Sequence, residues 1–369
     1  MSTVVSVIAF VLMLGLLIFV HEFGHFLLAK KNGVGVVEFA VGMGPDIVSW
    51  VKNGTKYAIK WIPFGGYCMM LGAESYVPEG ESSFEDVVSD DEHAFMNKPV
   101  RARISVILAG PVFNFLLAFL LSFLLMALVG TTTSKIGAVS EGYPAESAGL
   151  QAGDVITKLN HTRVRLFKEI SVYLTLHEGE EVKVTYLRDG ERHETTLVPV
   201  YNEEEERYLI GIISSGTESG LSFLEVVRYG VRDVWYNTGI VFKSLGMLLT
   251  GKAGINDLSG PVGMAGMVND IVTEVEEDTK GDGFFVTAYW VIINLMNFCL
   301  LITANLGVMN LLPIPGMDGG RLLFLFIEAV IGKPVPKKFE GVVTVAGFIL
   351  LFLLMIFVLF NDIRKVFFM

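Results

Sequence analysis

The chain has 369 residues, of which 52% are hydrophobic and 18% are charged, and its formal net charge is −11 at pH 7. So apolar a composition is atypical of a soluble enzyme, and the acidic balance argues against binding to nucleic acid. Several uncharged stretches are about as long as the roughly 20 residues needed to cross a bilayer. We therefore expect a polytopic α-helical membrane protein with about four transmembrane helices.

The predicted elements alternate between apolar spans and polar connections. In chain order they are a transmembrane helix at 1–30, a membrane-associated β region at 34–72, an acidic loop at 73–103, a second transmembrane helix at 104–130, an inserted α/β domain at 135–201, an amphipathic helix at 221–250, a third transmembrane helix at 284–320 and a fourth at 341–360. Basic residues cluster after the first span, before the second and after the third. The positive-inside rule then predicts that 30–103 and 321–340 are cytoplasmic, and that both termini and the α/β domain lie outside.

The segment 34–72 has the pattern of a β-hairpin. An Asn-Gly dipeptide predicts a two-residue turn, and alternation through Tyr57, Ile59 and Trp61 follows it. The segment is hydrophobic and directly follows the first span, which favours a hairpin that dips into the membrane. Its alternating strand is a candidate edge for an extended substrate peptide. The later segment 221–250 suits either an interfacial helix or a linker helix packed on the α/β domain.

The segment LLIFVHEFGHFLLAKK places ionisable side chains at the end of an apolar run. His21 and His25 are one helical turn apart on one face, so both imidazoles can reach a single zinc ion, with Glu22 beside the open coordination position. The alternative is a pair of histidines hydrogen-bonded inside a helix bundle. Membrane depth disfavours that alternative, because ionisable groups there usually have a function. A mononuclear catalytic zinc site still needs a third protein ligand.

The third ligand is expected in the segment NLGVMNLLPIPGMDGGRLL. Its prolines and glycines cannot continue a helix, and irregular backbone at membrane depth is tolerated only where protein buries it or a wet cavity adjoins it. Asp318 is the one carboxylate in this break, so we expect it to be the third ligand. Capping of the following helix is a second role open to it. At about 1.5 Å per residue, His21 lies roughly 13 Å from Lys30, and Asp318 just precedes Arg321, so both motifs fall near the cytoplasmic side.

These residues predict metal-assisted peptide hydrolysis with Glu22 as the base. Two rival functions belong to other classes: a non-catalytic zinc-containing membrane scaffold that presents the α/β domain, and a metal transporter. Glu22 counts against the scaffold, because a structural zinc site needs no base. The second and fourth spans have no acidic or histidine residues, which counts against the transporter.

Four motifs together resemble the site-2 protease family of intramembrane zinc metalloproteases. They are HEFGH, AGPVFN at 109–114, PAESAGLQAGD at 144–154 and NLLPIPGMDGG at 310–320. The resemblance covers nearly the whole chain. Within the family, the chain is most similar to the bacterial regulator-of-sigma-factor type with a single PDZ domain. It implies that the α/β domain is a PDZ domain, that His21, His25 and Asp318 bind one Zn²⁺ per chain, and that Glu22 is the catalytic base. Met317 departs conservatively from the leucine of the family pattern.

The resemblance also implies a role in regulated intramembrane proteolysis in a bacterial plasma membrane. Substrates would be single-pass anti-sigma factors or remnant signal peptides, first trimmed by a site-1 type protease. Asn310 and Asn114 match positions that would hold the substrate backbone, and interhelical hydrogen bonding is an equally weighted alternative for both. The PDZ domain could bind C-terminal carboxylates or exclude substrates with large ectodomains.

Overall fold

The computed structural model of the chain describes residues 2–73, 91–203, 205, 207–251, 254 and 258–368. The chain forms two compact units, one comprising 1–122 and 237–369 and the other 123–236. The predicted acidic loop at 73–103 lies largely outside the described residues. Its described end contains a short 3₁₀ turn at Phe95–Asn97.

Helices dominate the first unit and strands the second. The helices are α1 (Ser2–Lys31), α2 (Val100–Leu128), α3 (Pro144–Ser147), α4 (Phe167–Leu176), α5 (Phe223–Leu249), α6 (Pro261–Asp278), α7 (Phe284–Leu311), α8 (Asp318–Ile331) and α9 (Lys337–Phe368). The strands are β1 (Val36–Lys52), β2 (Thr55–Met70), β3 (Ile136–Val139), β4 (Val155–Leu159), β5 (Thr162–Arg163), β6 (Val182–Arg188), β7 (Glu191–Leu197), β8 (Val200–Asn202), β9 (Arg207–Leu209) and β10 (Ile212–Ser214).

Within the described residues, four helices are long and apolar enough to cross a membrane: Val4–Lys31, Val100–Leu128, Phe284–Leu311 and Lys338–Lys365. The third predicted helix, 284–320, is too long, because α7 ends at Leu311 and α8 begins separately at Asp318. Between them Pro313 and Pro315 lack the N–H groups that a continuous helix requires. The second and fourth helices extend beyond 104–130 and 341–360 at their charged ends. Long charged side chains there can reach polar surroundings while the helix continues.

The predicted β region is one sheet whose two strands, β1 and β2, bend back on themselves. Residues 39–41 pair with 66–68 on one side and with 57–59 on the other, and 57–59 also pair with 48–50. The alternating segment through Tyr57 therefore lies inside the sheet, and its predicted role as a free edge is wrong. The sequence period indicated the strand but not the bends, which occur near glycines with positive φ.

The outer segments of this sheet are 46–52 and 66–70. Both β1 and β2 bend at glycines, with φ of 89° at Gly42 and 79° at Gly65. Non-glycine residues rarely adopt such angles. The bends place the two ends of each strand on either side of a segment of the other strand, so that the long hairpin folds into a compact sheet.

The hairpin sheet carries both an ion cluster and a set of exposed apolar side chains. The Lys60 side chain is only 9% exposed, and its Nζ lies 2.8 Å from Asp46 Oδ1 and 3.1 Å from Glu38 Oε1. Lys56 contacts the same two carboxylates, so two positive and two negative charges balance. Large exposed apolar side chains cover the outside: Met43, Ile47, Val48, Trp50, Val51, Ile59, Trp61 and Ile62.

The second unit has an α/β fold with its own hydrophobic core. Strands β5, β4, β6 and β7 form an antiparallel sheet in that order, while β3 pairs with β10. The core includes Ile136, Ile156, Leu159, Ile170, Val182, Val184 and Ile210. The predicted boundary at 201 is therefore too early, since β10 lies beyond it. Strands of three residues are too short to show alternation in the sequence.

A buried ion pair joins α2 to α8. Both guanidinium Nη atoms of Arg103 donate to the carboxylate of Glu328, and Arg103 Nε donates to the Lys98 carbonyl at 3.1 Å. The side chains are only 6% and 12% exposed. Because α8 begins at Asp318, this pair anchors the helix that carries one of the predicted ligands.

We expect Glu328→Leu to destabilise the protein by about 3–5 kcal/mol, because it leaves Arg103 buried and unpaired. The double variant Arg103→Met/Glu328→Leu should recover most of that loss, since two apolar side chains can replace a buried pair. Unfolding in detergent measures both. A double variant no more stable than Glu328→Leu would show that the stability contributed by Arg103 does not depend on its pairing with Glu328.

Candidate metal centre

The predicted ligands His21, His25 and Asp318 meet at one point. Nε2 of His21 lies 3.1 Å from Oδ2 of Asp318 and 3.2 Å from Nε2 of His25, and the third side of the triangle is 3.3 Å. The three side chains are between 7% and 16% exposed. Within the described part of the chain, this is the one group of three or more His, Cys, Asp or Glu side chains close enough to hold a metal ion.

The triangle has the dimensions of a tetrahedral metal site. With bonds of about 2.0 Å to the metal, the ligand atoms of a tetrahedron lie about 3.3 Å apart. Two imidazoles and one carboxylate are a zinc donor set, and three protein ligands leave the fourth position open. Three acceptor atoms that face one another are costly to bury without a cation or protons between them. The residues present therefore fit zinc.

Helix α1 supplies two ligands from successive turns, and its neighbour α2 orients one of them. Nδ1 of His25 donates to the backbone carbonyl of Val106 at 2.9 Å, which leaves Nε2 free to face the cluster. A metal-binding histidine typically donates its other ring N–H to an acceptor of this kind. Pro111 lies within α2 and cannot donate a helical hydrogen bond to Ile107, next to this carbonyl.

Two glycines permit the close contact between α1 and α2. A Cβ on Gly24, within HEFGH, would lie 2.5 Å from the Ala109 carbonyl oxygen. A Cβ on Gly110 would lie 2.3 Å from His25 Nε2 and 2.7 Å from His21 Cε1. Gly110 stands in the AGPVFN motif, but the motif by itself indicates no role for it. The small Ala-Gly pair within an apolar span was the available signal, because small residues mark close helix packing in membranes.

Asp318 is the first residue of α8, and its carboxylate faces the histidines. The N-cap position belongs to Met317, which makes no side-chain capping hydrogen bond, so the alternative capping role does not fit Asp318. A negative charge in the first helical turn is favoured by the helix dipole. A Cβ on Gly319 would lie 2.0 Å from the Leu312 carbonyl oxygen, so only glycine fits where the break packs against α8.

Glu22 lies between the cluster and the hairpin sheet. Its carboxylate accepts a hydrogen bond from the backbone N–H of Cys68 and is within electrostatic range of all three cluster residues. A Cβ on Gly66 would lie 3.6 Å from Glu22 Cγ. The outer segment 66–70 of the sheet therefore runs beside Glu22. The sequence indicated Glu22 but not this contact, because the contact depends on how the hairpin bends.

The two predicted substrate-binding residues both contact His21. Nδ2 of Asn114 lies 3.1 Å from His21 Nδ1, and Nδ2 of Asn310 lies 3.4 Å from the same atom. Asn114 is fully buried, whereas Asn310 is partly exposed. The two asparagines thus occupy different environments on one face of the imidazole.

Three candidate ligands with an adjacent carboxylate, in a chain with four helices of membrane-spanning length among its described residues, fit a multi-pass membrane metallohydrolase. The model of Peptidase family M50 matches residues 9–354. The chain belongs to this family, the site-2 proteases, and is a zinc metalloendopeptidase. The family membership predicted from the four sequence motifs is thereby confirmed.

Full-length relatives accompany the family match. A Clostridium acetobutylicum protein is 37% identical over 362 residues, covering 98% of this chain and 97% of its own. The zinc metalloprotease RasP of Shouchella clausii is 33% identical and the regulator of sigma-W protease RasP of Bacillus subtilis 31%, each covering 98% of this chain and 99% of its own. A solved PDZ domain of an SdrC-like protein from Listeria monocytogenes is 21% identical and covers 22% of this chain and 86% of its own, with a TM-score of 0.21, too low to define a fold.

Gly110→Ala should abolish most zinc binding, because the added methyl group collides with both imidazoles. Gly15→Ala on α1 is the matched control, since a Cβ there meets nothing within 4 Å. Zinc content of the purified proteins, measured by elemental analysis, tests this. Equal zinc content in the two variants would contradict the packing of α2 against the centre.

Proposed function

We propose that the chain hydrolyses peptide bonds within transmembrane segments of membrane proteins that another protease has already trimmed. The observation that carries this proposal is the 3.1–3.3 Å triangle of His21, His25 and Asp318, with Glu22 beside it. The substrate class, anti-sigma factors or remnant signal peptides, draws support from the name of the B. subtilis relative, regulator of sigma-W protease. We also propose that a second protease of the site-1 type trims the same substrate first.

The proposed roles follow from what each side chain can do. His21, His25 and Asp318 would hold the zinc ion. When bound, the ion would act as a Lewis acid that polarises a peptide carbonyl and lowers the pKa of water to near neutral. Glu22 accepts the proton of the attacking water on its carboxylate and passes it to the leaving amine. The Cys68 N–H holds that carboxylate in place, as a preorganised base requires.

The substrate helix must unwind locally, because a peptide carbonyl in a helix is closed to attack. We propose that the unwound stretch pairs with the outer segment 66–70, which lies beside Glu22. Cys68 directs its N–H outward to Glu22, while the N–H of Leu71 bonds to Gly35. By strand alternation, the N–H of Met70 also faces outward. Such β-augmentation holds a peptide in the extended form.

The proposed setting is a bacterial plasma membrane. Both termini and the α/β unit face away from the cytoplasm, as the basic clusters favour, and the centre lies near the cytoplasmic side. In this proposal the α/β unit is a PDZ domain. It selects trimmed substrates, by excluding large ectodomains or by binding new carboxyl termini.

Glu22→Gln should lower cleavage of a single-pass model substrate by about 10²–10⁴-fold, the usual contribution of a general base. Zinc content should stay at the wild-type level, because the amide keeps the size of the carboxylate and Glu22 is not a ligand. Cleavage in liposomes and elemental analysis give the two readouts. If wild type and variant both hold zinc and neither cuts a trimmed substrate, the zinc-containing scaffold becomes the better description.

Met70→Pro should reduce cleavage at least tenfold if the substrate pairs with segment 66–70, because proline removes an outward N–H. Val51→Pro, on the opposite outer segment, is the control. Its cleavage rate should stay within about twofold of the wild-type rate. Zinc content and thermal unfolding, measured on both variants, show whether either substitution disturbs the metal site or the fold. Equal cleavage by the two variants would reject pairing at this edge.

A further inference from the structure

The two ligand histidines differ in what holds their second nitrogen. A histidine that binds metal through Nε2 carries its proton on Nδ1 and needs an acceptor there. His25 has one in the Val106 carbonyl. Around His21 Nδ1 the described contacts are the carboxamides of Asn114 and Asn310. Either group can present its oxygen to His21 when the metal is bound, after a half-turn of its carboxamide.

Burial distinguishes the two asparagines. Asn114 is 0% exposed, and its nitrogen is at 3.1 Å from Nδ1, whereas Asn310 is partly exposed and at 3.4 Å. With its nitrogen toward His21, Asn114 leaves a buried Oδ1 without a hydrogen-bond partner among the described residues. The two ends of a carboxamide have nearly the same shape, and a half-turn exchanges them. After that turn, Asn114 Oδ1 accepts the proton of His21 Nδ1.

The backbone around Asn114 is fixed as well. The hydroxyl of Thr303 on α7 donates to the Asn114 carbonyl at 3.1 Å, and Thr303 is also 0% exposed. Asn114 thus sits at a sealed contact of α2 and α7. A side chain in such a place is available to the imidazole but not to an incoming peptide.

We propose that Asn114 is a positioning residue for the metal centre and not a substrate-binding residue. Its carboxamide oxygen accepts Nδ1–H of His21 and so holds the tautomer whose Nε2 lone pair points at the zinc position. Asn310 keeps the substrate-facing role. The inference rests on the proposed function, because it takes the cluster as the zinc site.

The test compares full-length wild type, Asn114→Ala, Asn114→Asp and Asn310→Ala in detergent, with zinc dissociation constants from chelator competition. Asn114→Ala should bind zinc about 10–100-fold more weakly, the usual effect of losing such an acceptor. Asn114→Asp should bind at least as tightly as wild type, because a carboxylate accepts the same proton. Asn310→Ala should keep wild-type zinc affinity and raise KM for the model substrate.

A folding defect is separated from a metal defect by thermal unfolding with and without zinc. The zinc-induced rise in Tm, taken from each variant's own zinc-free value, reports affinity independently of basal stability. Wild-type affinity in Asn114→Ala, or an equal loss in Asn310→Ala, would overturn the assignment. A wild type that binds no zinc would instead remove the proposed function itself, so the two failures are distinguishable.

Discussion

Three electron-rich atoms held within 3.3 Å of one another inside an apolar helix bundle are the constraint on which this structure depends. Two come from adjacent turns of α1 and one from the start of α8, so the helices must be placed to within a fraction of an ångström. Gly24 and Gly110 allow α1 and α2 to touch, and the Arg103–Glu328 pair ties α8 to α2. These contacts therefore position one small polar site.

Local patterns made the site predictable. The spacing of His21 and His25 and the single carboxylate in the Pro-Gly break were readable because each depends on a few neighbouring residues. A helix following this break was readable as well, but neither the exact position of Asp318 as its first residue nor the Arg103–Glu328 pair that anchors it was readable. Both depend on contacts between segments far apart in the sequence, and a single sequence carries no direct signal of such contacts.

The hairpin also shows that local sequence patterns do not predict how segments pack together. Its turn and alternation were visible, but its bends at Gly42 and Gly65 decide which segment is at the edge. They also bring the Cys68 N–H to Glu22. Likewise, Asn114 and Asn310 look equivalent as motif positions and differ only in burial. Burial of a polar residue in an apolar span follows from which helix faces it, which only the assembled bundle determines.

The exposed apolar side chains of the hairpin sheet bear on where the chain can fold. Large apolar side chains of this sheet, Trp50 and Trp61 among them, are exposed. Contact with lipid or an amphiphile stabilises such a surface, whereas contact with water does not. The backbone hydrogen bond to the Glu22 carboxylate comes from this sheet, so contact between the sheet and lipid bears on how that carboxylate is held.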